Sequence, residues 1–129
     1  MADPDAPLPR ILVVEDDPDA RKMIAHMLRR MAQVIEAENG EEALELAVER
    51  RPDLIVTDVM MPRLDGFELT RTLKSDAGLR SVPVVLVTAR GTAKDVVEGI
   101  NAGARHYLVK PFTPDELLRK VRKALRRAR

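Results

Sequence analysis

Short runs of aliphatic and β-branched residues alternate along this chain with stretches whose apolar residues recur every three or four positions. That alternation restricts the fold more than any other feature. The runs are residues 11–14 (ILVV), 33–37 (QVIEA), 54–57 (LIVT), 82–88 (VPVVLVT) and 106–110 (HYLVK). Several are almost continuously apolar, as strands covered on both faces should be. The intervening stripes have helical spacing: Ala20, Met23, Ile24, Met27, Leu28 and Met31; Ala43, Leu44, Ala47 and Val48; Ala93, Val96, Val97 and Ile100; Leu117, Leu118, Val121, Ala124 and Leu125. A shorter, less regular helical segment spans residues 67–73.

Punctuation agrees with these periods. Asp17 before Pro18 suits a helix N-cap followed by proline at the first helical position. The segment TPDE (113–116) reads as a capping box, and DGFE (65–68) as its aspartate variant. Gly103 suits a left-handed C-cap. Five strands alternating with five helices predict an α/β, doubly wound parallel sheet between two helix layers. Residues 1–9 (MADPDAPLP) read as a flexible N-terminal tail, and residues 10–129 as one domain. With three aromatic residues in 129, the core must be built from Val, Leu, Ile, Ala and Met.

In an open parallel sheet, ligands bind beyond the carboxyl ends of the strands, where strand order reverses. The first strand ends in Glu15, Asp16 and Asp17, the third in Asp58, the fourth in Thr88, and the fifth in Lys110 followed by Pro111. Singly these have plain readings: Asp17 as an N-cap, Thr88 as a strand former, Lys110 as a loop lysine. Together they bring acids, a hydroxyl and one cation to the same sheet edge. Clustered carboxylates repel one another unless a cation is present. With no cysteine in the chain and no suitable histidine, an all-oxygen donor set points to Mg²⁺ rather than zinc. Lys110 and Thr88 then suit phosphoryl oxygens, and Asp58 suits attack on phosphorus.

The segments ILVVEDD, TDVMMPRLDG, VTA and YLVKPF, in that order and spacing, resemble the signature segments of the receiver domain of two-component response regulators. The resemblance runs from about Arg10 to the last helix. It implies a flavodoxin-like (βα)5 fold with strand order 2-1-3-4-5. It also implies that Asp58 is the phosphoacceptor and that Asp16 is a direct Mg²⁺ ligand, with Glu15 acting through water. Asp58 itself and the backbone carbonyl of Met60 complete the implied protein ligands. Thr88 is implied to hydrogen-bond the phosphoryl group and Lys110 to pair with it, with Thr88 and Tyr107 forming a switch pair. Pro111 falls where the family has a cis peptide. Glu15 stands where many members have Asp. Met60 and Arg90 occupy positions that influence dephosphorylation rate in the family.

The function so implied is a signalling switch. A sensor histidine kinase or histidine phosphotransfer protein would donate a phosphoryl group to Asp58, and the domain would catalyse that transfer and its own dephosphorylation. The rearrangement would reach a face made by the fourth helix, fifth strand and fifth helix, which would engage a downstream effector, an output domain or a second copy. Rival readings are a pseudo-receiver that binds proteins without phosphorylation, and an aspartyl-nucleophile phosphatase of the haloacid-dehalogenase type. The phosphatase would want an acid two residues after Asp58, where Met60 stands. No Walker loop or glycine-rich fingerprint follows the first strand to support nucleotide binding.

The net charge of +1 says little about partners, but seven of the last eleven residues (RKVRKALRRAR) are basic. Positive charge late in a helix complements its dipole, so a solvated face is the default reading. Without a DNA-binding motif, direct DNA binding is not expected. His26 reads as structural or surface, and His106 as the start of the fifth strand, where it could contribute to a partner surface. No apolar run reaches the roughly 20 residues of a membrane span. The chain is expected in the cytoplasm, with no membrane association.

Overall fold

A computed structural model describes residues 7–128, with side chains assigned through Arg126. Most of the expected tail (1–6) and Arg129 lie outside the described residues. The strands are β1 (Arg10–Val14), β2 (Gln33–Ala37), β3 (Leu54–Thr57), β4 (Val84–Thr88) and β5 (His106–Val109). The helices are α1 (Pro18–Leu28), α2 (Gly40–Arg50), α3 (Gly66–Ser75), α4 (Ala93–Ala102) and α5 (Pro114–Ala128). All four strand pairings are parallel and the order is β2-β1-β3-β4-β5, the flavodoxin-like order. Order reverses between β1 and β3, which are direct neighbours.

Alternation along the strands divides the core into two layers. Leu12, Val14, Ile55 and Leu86 face α2 and α3, where they pack with Ala43, Ala47, Phe67, Leu69 and Leu73. Ile11, Val13, Leu54, Val56, Val85 and Val87 face the other way, onto Ile24 and Leu28 of α1 and Leu117, Val121 and Ala124 of α5. Period-2 side-chain placement makes one short strand serve both layers. Aliphatic side chains fill nearly all of this volume, with Phe67 the one aromatic among the fully buried residues.

The caps explain where helices start. Asp17 accepts from the Ala20 N–H at 3.0 Å. The capping boxes Asp65–Glu68 and Thr113–Glu116 each satisfy two backbone donors. Asn39 and Thr92 cap α2 and α4, which the sequence reading did not single out. Gly103 closes α4 at φ 114°, as its position predicts.

Five boundaries shift, the first being β1, which starts at Arg10 rather than Ile11. β4 starts at Val84 rather than Val82, because Pro83 has no N–H for the ladder and contributes only its carbonyl, to the Ile55 N–H. β5 stops at Val109, so Lys110 belongs to the loop that follows. α1 ends at Leu28, leaving Met31 in a turn that still packs against the α1–α5 layer. The third helix extends beyond the expected 67–73 to Gly66–Ser75.

The largest departure is in α4. Most of its apolar stripe points outward: Ala93, Val97 and Ile100 are exposed and Val96 is half-buried, while the buried residues are Asp95, Gly99 and Ala102. A polar residue can face inward here because Asp95 is fully engaged, accepting from the Thr92 hydroxyl at 2.8 Å and from two Arg90 nitrogens at 2.7 and 3.1 Å.

Candidate functional site

Three sequence-distant side chains meet at the carboxyl edge of the sheet. β1 delivers Glu15, β3 delivers Asp58, and the loop after β5 delivers Lys110. The Lys110 ammonium donates to Asp58 Oδ2 and to Glu15 Oε1, each at 2.9 Å. The Glu15 and Asp58 side chains are nearly buried, 3% and 9% exposed, so these contacts are poorly screened by water. The Met60 N–H donates to the other Asp58 oxygen at 3.0 Å, and the Asp17 N–H donates to Glu15 Oε2 at 3.2 Å.

The two carboxylates are driven in opposite directions. Burial pushes Glu15 up to about 7, and the neighbouring Asp58 reinforces that rise against the pull of Lys110. Burial also acts to raise Asp58, but hydrogen bonds from Glu15, Lys110 and the Met60 N–H outweigh it and leave Asp58 below the usual carboxylate range. A proton arriving at the pair is therefore favoured on Glu15, and Asp58 is the more acidic of the two. Lys110 is raised despite its partial burial because it lies between two acids.

The other expected residues surround this trio. Asp16 is exposed, and its carboxylate accepts no hydrogen bond among the described residues. Thr88 is fully buried at the end of β4, one strand over from Asp58, and its hydroxyl accepts from the Arg90 N–H at 3.3 Å. The Met60 side chain is exposed beside Asp58. The Lys110–Pro111 peptide is cis. Tyr107 is half-buried, and its hydroxyl donates to the Arg90 carbonyl at 2.6 Å. The Arg90 guanidinium lies 5.4 Å from the centroid of the Phe67 ring, a cation–π distance.

The donor set is chemically suited to a hard cation: carboxylate oxygens from Glu15, Asp16 and Asp58, and the Met60 carbonyl close by in sequence. Among the described residues no three acids or histidines already close on one point. In this arrangement Lys110 stands between Glu15 and Asp58.

Sequence reasoning missed several residues that shape this edge. Gly66 brings α3 against the Asp58 peptide; a Cβ there would lie 2.2 Å from the Asp58 carbonyl oxygen. Arg21 of α1 donates to the Glu15 carbonyl at 2.9 Å and to Glu36 at 3.2 Å. Glycine inside the LDG segment was a visible signal; nothing in the sequence marked Arg21. A groove of about 340 Å³ also opens beside Lys110, lined by Ala20, Met23, Ile24, Met27, Pro111 and Phe112. Four of the six residues of the α1 apolar stripe line it.

Comparison with known proteins places these features in a group. Residues 11–122 match the family described as response regulator receiver domain. The response regulator MprA of Mycobacterium sp. (strain KMS) is 45% identical over 119 residues, which are 92% of this chain and 51% of that protein. The phosphate regulon transcriptional regulatory protein PhoB of Pseudomonas aeruginosa is 40% identical over 118 residues, 91% of this chain and 52% of that protein. The chain thus spans about half the length of these relatives. Among solved structures, a putative response regulator from Chloroflexus aurantiacus superposes with TM-score 0.89 at 34% identity, covering 94% of this chain and 99% of that one. Vibrio cholerae chemotaxis protein CheY4 does so with TM-score 0.86 at 32% identity, covering 91% and 98%.

Proposed function

The chain belongs to the receiver domains of two-component response regulators, and from that premise we propose that Asp58 is the carboxylate that accepts its phosphoryl group. The domain is a phosphoacceptor signalling switch. The observation that carries the assignment is the 2.9 Å contact between Lys110 and an Asp58 that stays ionised at the end of β3. An Asp58 oxygen attacks the phosphorus of a phosphohistidine on a partner kinase or phosphotransfer protein; the O–P bond forms as the P–N bond to imidazole breaks. No general base is required, because the nucleophile carries no proton.

Asp16, Asp58, the Met60 carbonyl and, through water, Glu15 are the groups that would hold Mg²⁺. Bound there, Mg²⁺ would neutralise phosphoryl oxygens and orient the transferring group. Lys110 leaves Glu15 to follow the charge as it moves onto the phosphoryl group, and the Thr88 hydroxyl turns to donate to it. The same groups, with an admitted water, serve autodephosphorylation. Met23, Met27, Pro111 and Phe112 offer an apolar landing beside Lys110 for the donor protein.

The output follows from α4. Val97 and Ile100 on α4 and Val109 on β5 are exposed apolar side chains on contacting elements, which suits an effector, an output domain or a second copy. Tyr107 already reaches the loop that leads from Thr88 into α4, so movement of Thr88 toward a phosphoryl group is transmitted there through Arg90. No helix among the described residues is long and apolar enough to cross a membrane.

Incubation with Mg²⁺ and acetyl phosphate tests the assignment by intact mass. One added phosphoryl group is expected on the wild type and none on Asp58→Asn. An adduct that persists in Asp58→Asn would place the acceptor elsewhere.

A further inference from the structure

Glu15 is fastened at every polar atom it has. Its N–H donates to the Ala37 carbonyl at 3.1 Å, and its two carboxylate oxygens accept from Lys110 and the Asp17 N–H. Its own carbonyl accepts from Arg21 Nη1 at 2.9 Å. That last bond is made by a side chain that touches neither Asp58 nor Lys110. Arg21 lies in the first turn of α1, and its own N–H bonds to the Asp17 carbonyl at 2.9 Å, so the guanidinium folds back over the turn formed by residues 15–17.

The guanidinium is in turn fixed by β2. Arg21 Nε donates to Glu36 Oε1 at 3.2 Å, and Arg29 holds the other Glu36 oxygen at 3.2 Å. The Arg21 side chain is only 12% exposed. A planar fork with several donors can hold a carbonyl and a carboxylate at once; an ammonium on a flexible stem cannot do so in the same geometry.

We propose that Arg21 is a positioning residue for the cation-binding loop: by gripping the Glu15 carbonyl it fixes the 15–17 turn that carries Glu15 and Asp16. This rests on the site assignment above. Asp16 is already exposed and its carboxylate has no partner among the described residues, so a loosened turn would relax further and give Asp16 more freedom to lose when a cation binds. Groups behind a ligand shell set affinity by preventing such relaxation. The influence of Arg21 passes through backbone, so it belongs to cation affinity rather than to phosphoryl chemistry.

A merely structural tie between α1 and β2 would predict something different, and three variants separate the two roles. Mn²⁺ affinity is read by electron paramagnetic resonance and Mg²⁺ affinity by calorimetry on Arg21→Gln, Arg21→Lys and Glu36→Gln. Urea unfolding is followed in EDTA. Arg21→Gln is expected to weaken either cation about tenfold, equivalent to about 1.4 kcal/mol. The Mg²⁺ concentration that half-saturates acetyl phosphate labelling rises in step, while the labelling rate at saturating Mg²⁺ stays near wild type. Arg21→Lys falls between, because its ammonium reaches one partner and not both. Glu36→Gln takes the charge out of the tie to β2, weakening it, but leaves the carbonyl bond, so it lowers urea stability and changes cation affinity less than about threefold.

Wild-type cation affinity in Arg21→Gln, or in Arg21→Lys should the first variant not fold, overturns the proposal. So does a loss of affinity in Glu36→Gln as large as in the arginine variants. If the wild type itself neither binds Mg²⁺ nor accepts a phosphoryl group, the site assignment fails and the role of Arg21 with it. If the wild type does both and the arginine variants match it, the positioning role fails alone.

Discussion

At the scale of single residues, the edge of this sheet depends on one absence as much as on its charges. Gly66 opens α3 immediately after the Asp65 cap, and its N–H donates to the Val59 carbonyl at 2.9 Å. A methyl group there would lie 2.2 Å from the Asp58 carbonyl oxygen and 2.8 Å from the Val59 Cα, both backbone atoms of a buried segment. Neither can swing away as a side chain would. Gly66→Ala is therefore expected to cost roughly 1–3 kcal/mol, the range for forced overpacking, read as a lower urea midpoint with an unchanged slope. A variant as stable as wild type would show that α3 can slide off the Asp58 loop. The meeting of Glu15, Asp58 and Lys110 was legible in the sequence, because parallel strands all deliver their last residues to one edge. Arg21 was not: its partner is a backbone carbonyl, and every residue has one.

At the scale of elements, α4 shows where periodicity misleads. The stripe Ala93, Val96, Val97 and Ile100 has the spacing of a core face, yet three of the four are exposed, Val96 is half-buried, and the helix buries Asp95, Gly99 and Ala102. Hydrophobic spacing identifies the helix; it cannot say whether the apolar side faces the sheet or a partner. The inward orientation is set by two features with no hydrophobic signature, the Arg90–Asp95–Thr92 network and the space that Gly99 leaves. A Cβ at Gly99 would lie 2.8 Å from both the Leu86 Cδ1 and the Tyr107 Cδ2. Tyr107 thus packs into a notch cut by a glycine, with its hydroxyl on the Arg90 carbonyl. Gly99→Ala should gain up to about 1 kcal/mol of helix propensity but push the Tyr107 ring outward and break that hydrogen bond. Because the chain has one tyrosine and no tryptophan, its intrinsic fluorescence reports Tyr107 alone. Acrylamide quenching is expected to rise in Gly99→Ala while urea stability moves by less than about 1 kcal/mol. Unchanged quenching would mean that residue 99 does not gate the ring.

At the scale of the whole molecule, a net charge of +1 hides a polarity that the topology imposes. Every helix runs back antiparallel to the strands, so all five N-termini gather at the edge that carries the site. The first turns carry Asp19, Glu41, Glu42, Glu68, Asp95, Asp115 and Glu116, and Arg50 and Lys74 lie in last turns at the opposite edge. Each placement suits its own helix dipole, and their sum adds negative charge along the edge that carries Glu15, Asp16 and Asp58, offset in part by Lys110 and by the pairing of Asp95 with Arg90 and of Glu41 with Arg63. The native state should therefore gain stability from a cation that the unfolded chain does not hold. Binding to the folded state alone contributes about 2.7 kcal/mol at one hundred times Kd, which for a domain of this length corresponds to a rise of about 10 °C in Tm. Calorimetry with MgCl2 against EDTA reads this directly, with NaCl at matched ionic strength as the comparison. General screening would act equally through either salt, whereas a site acts only through the divalent ion. Asp58→Asn should keep any screening component and lose most of the Mg²⁺-specific rise, because it removes a ligand without touching the distant charges. A rise reproduced by NaCl, or retained in Asp58→Asn, would assign the stabilisation to the polarised edge as a whole rather than to a cation held at Asp58.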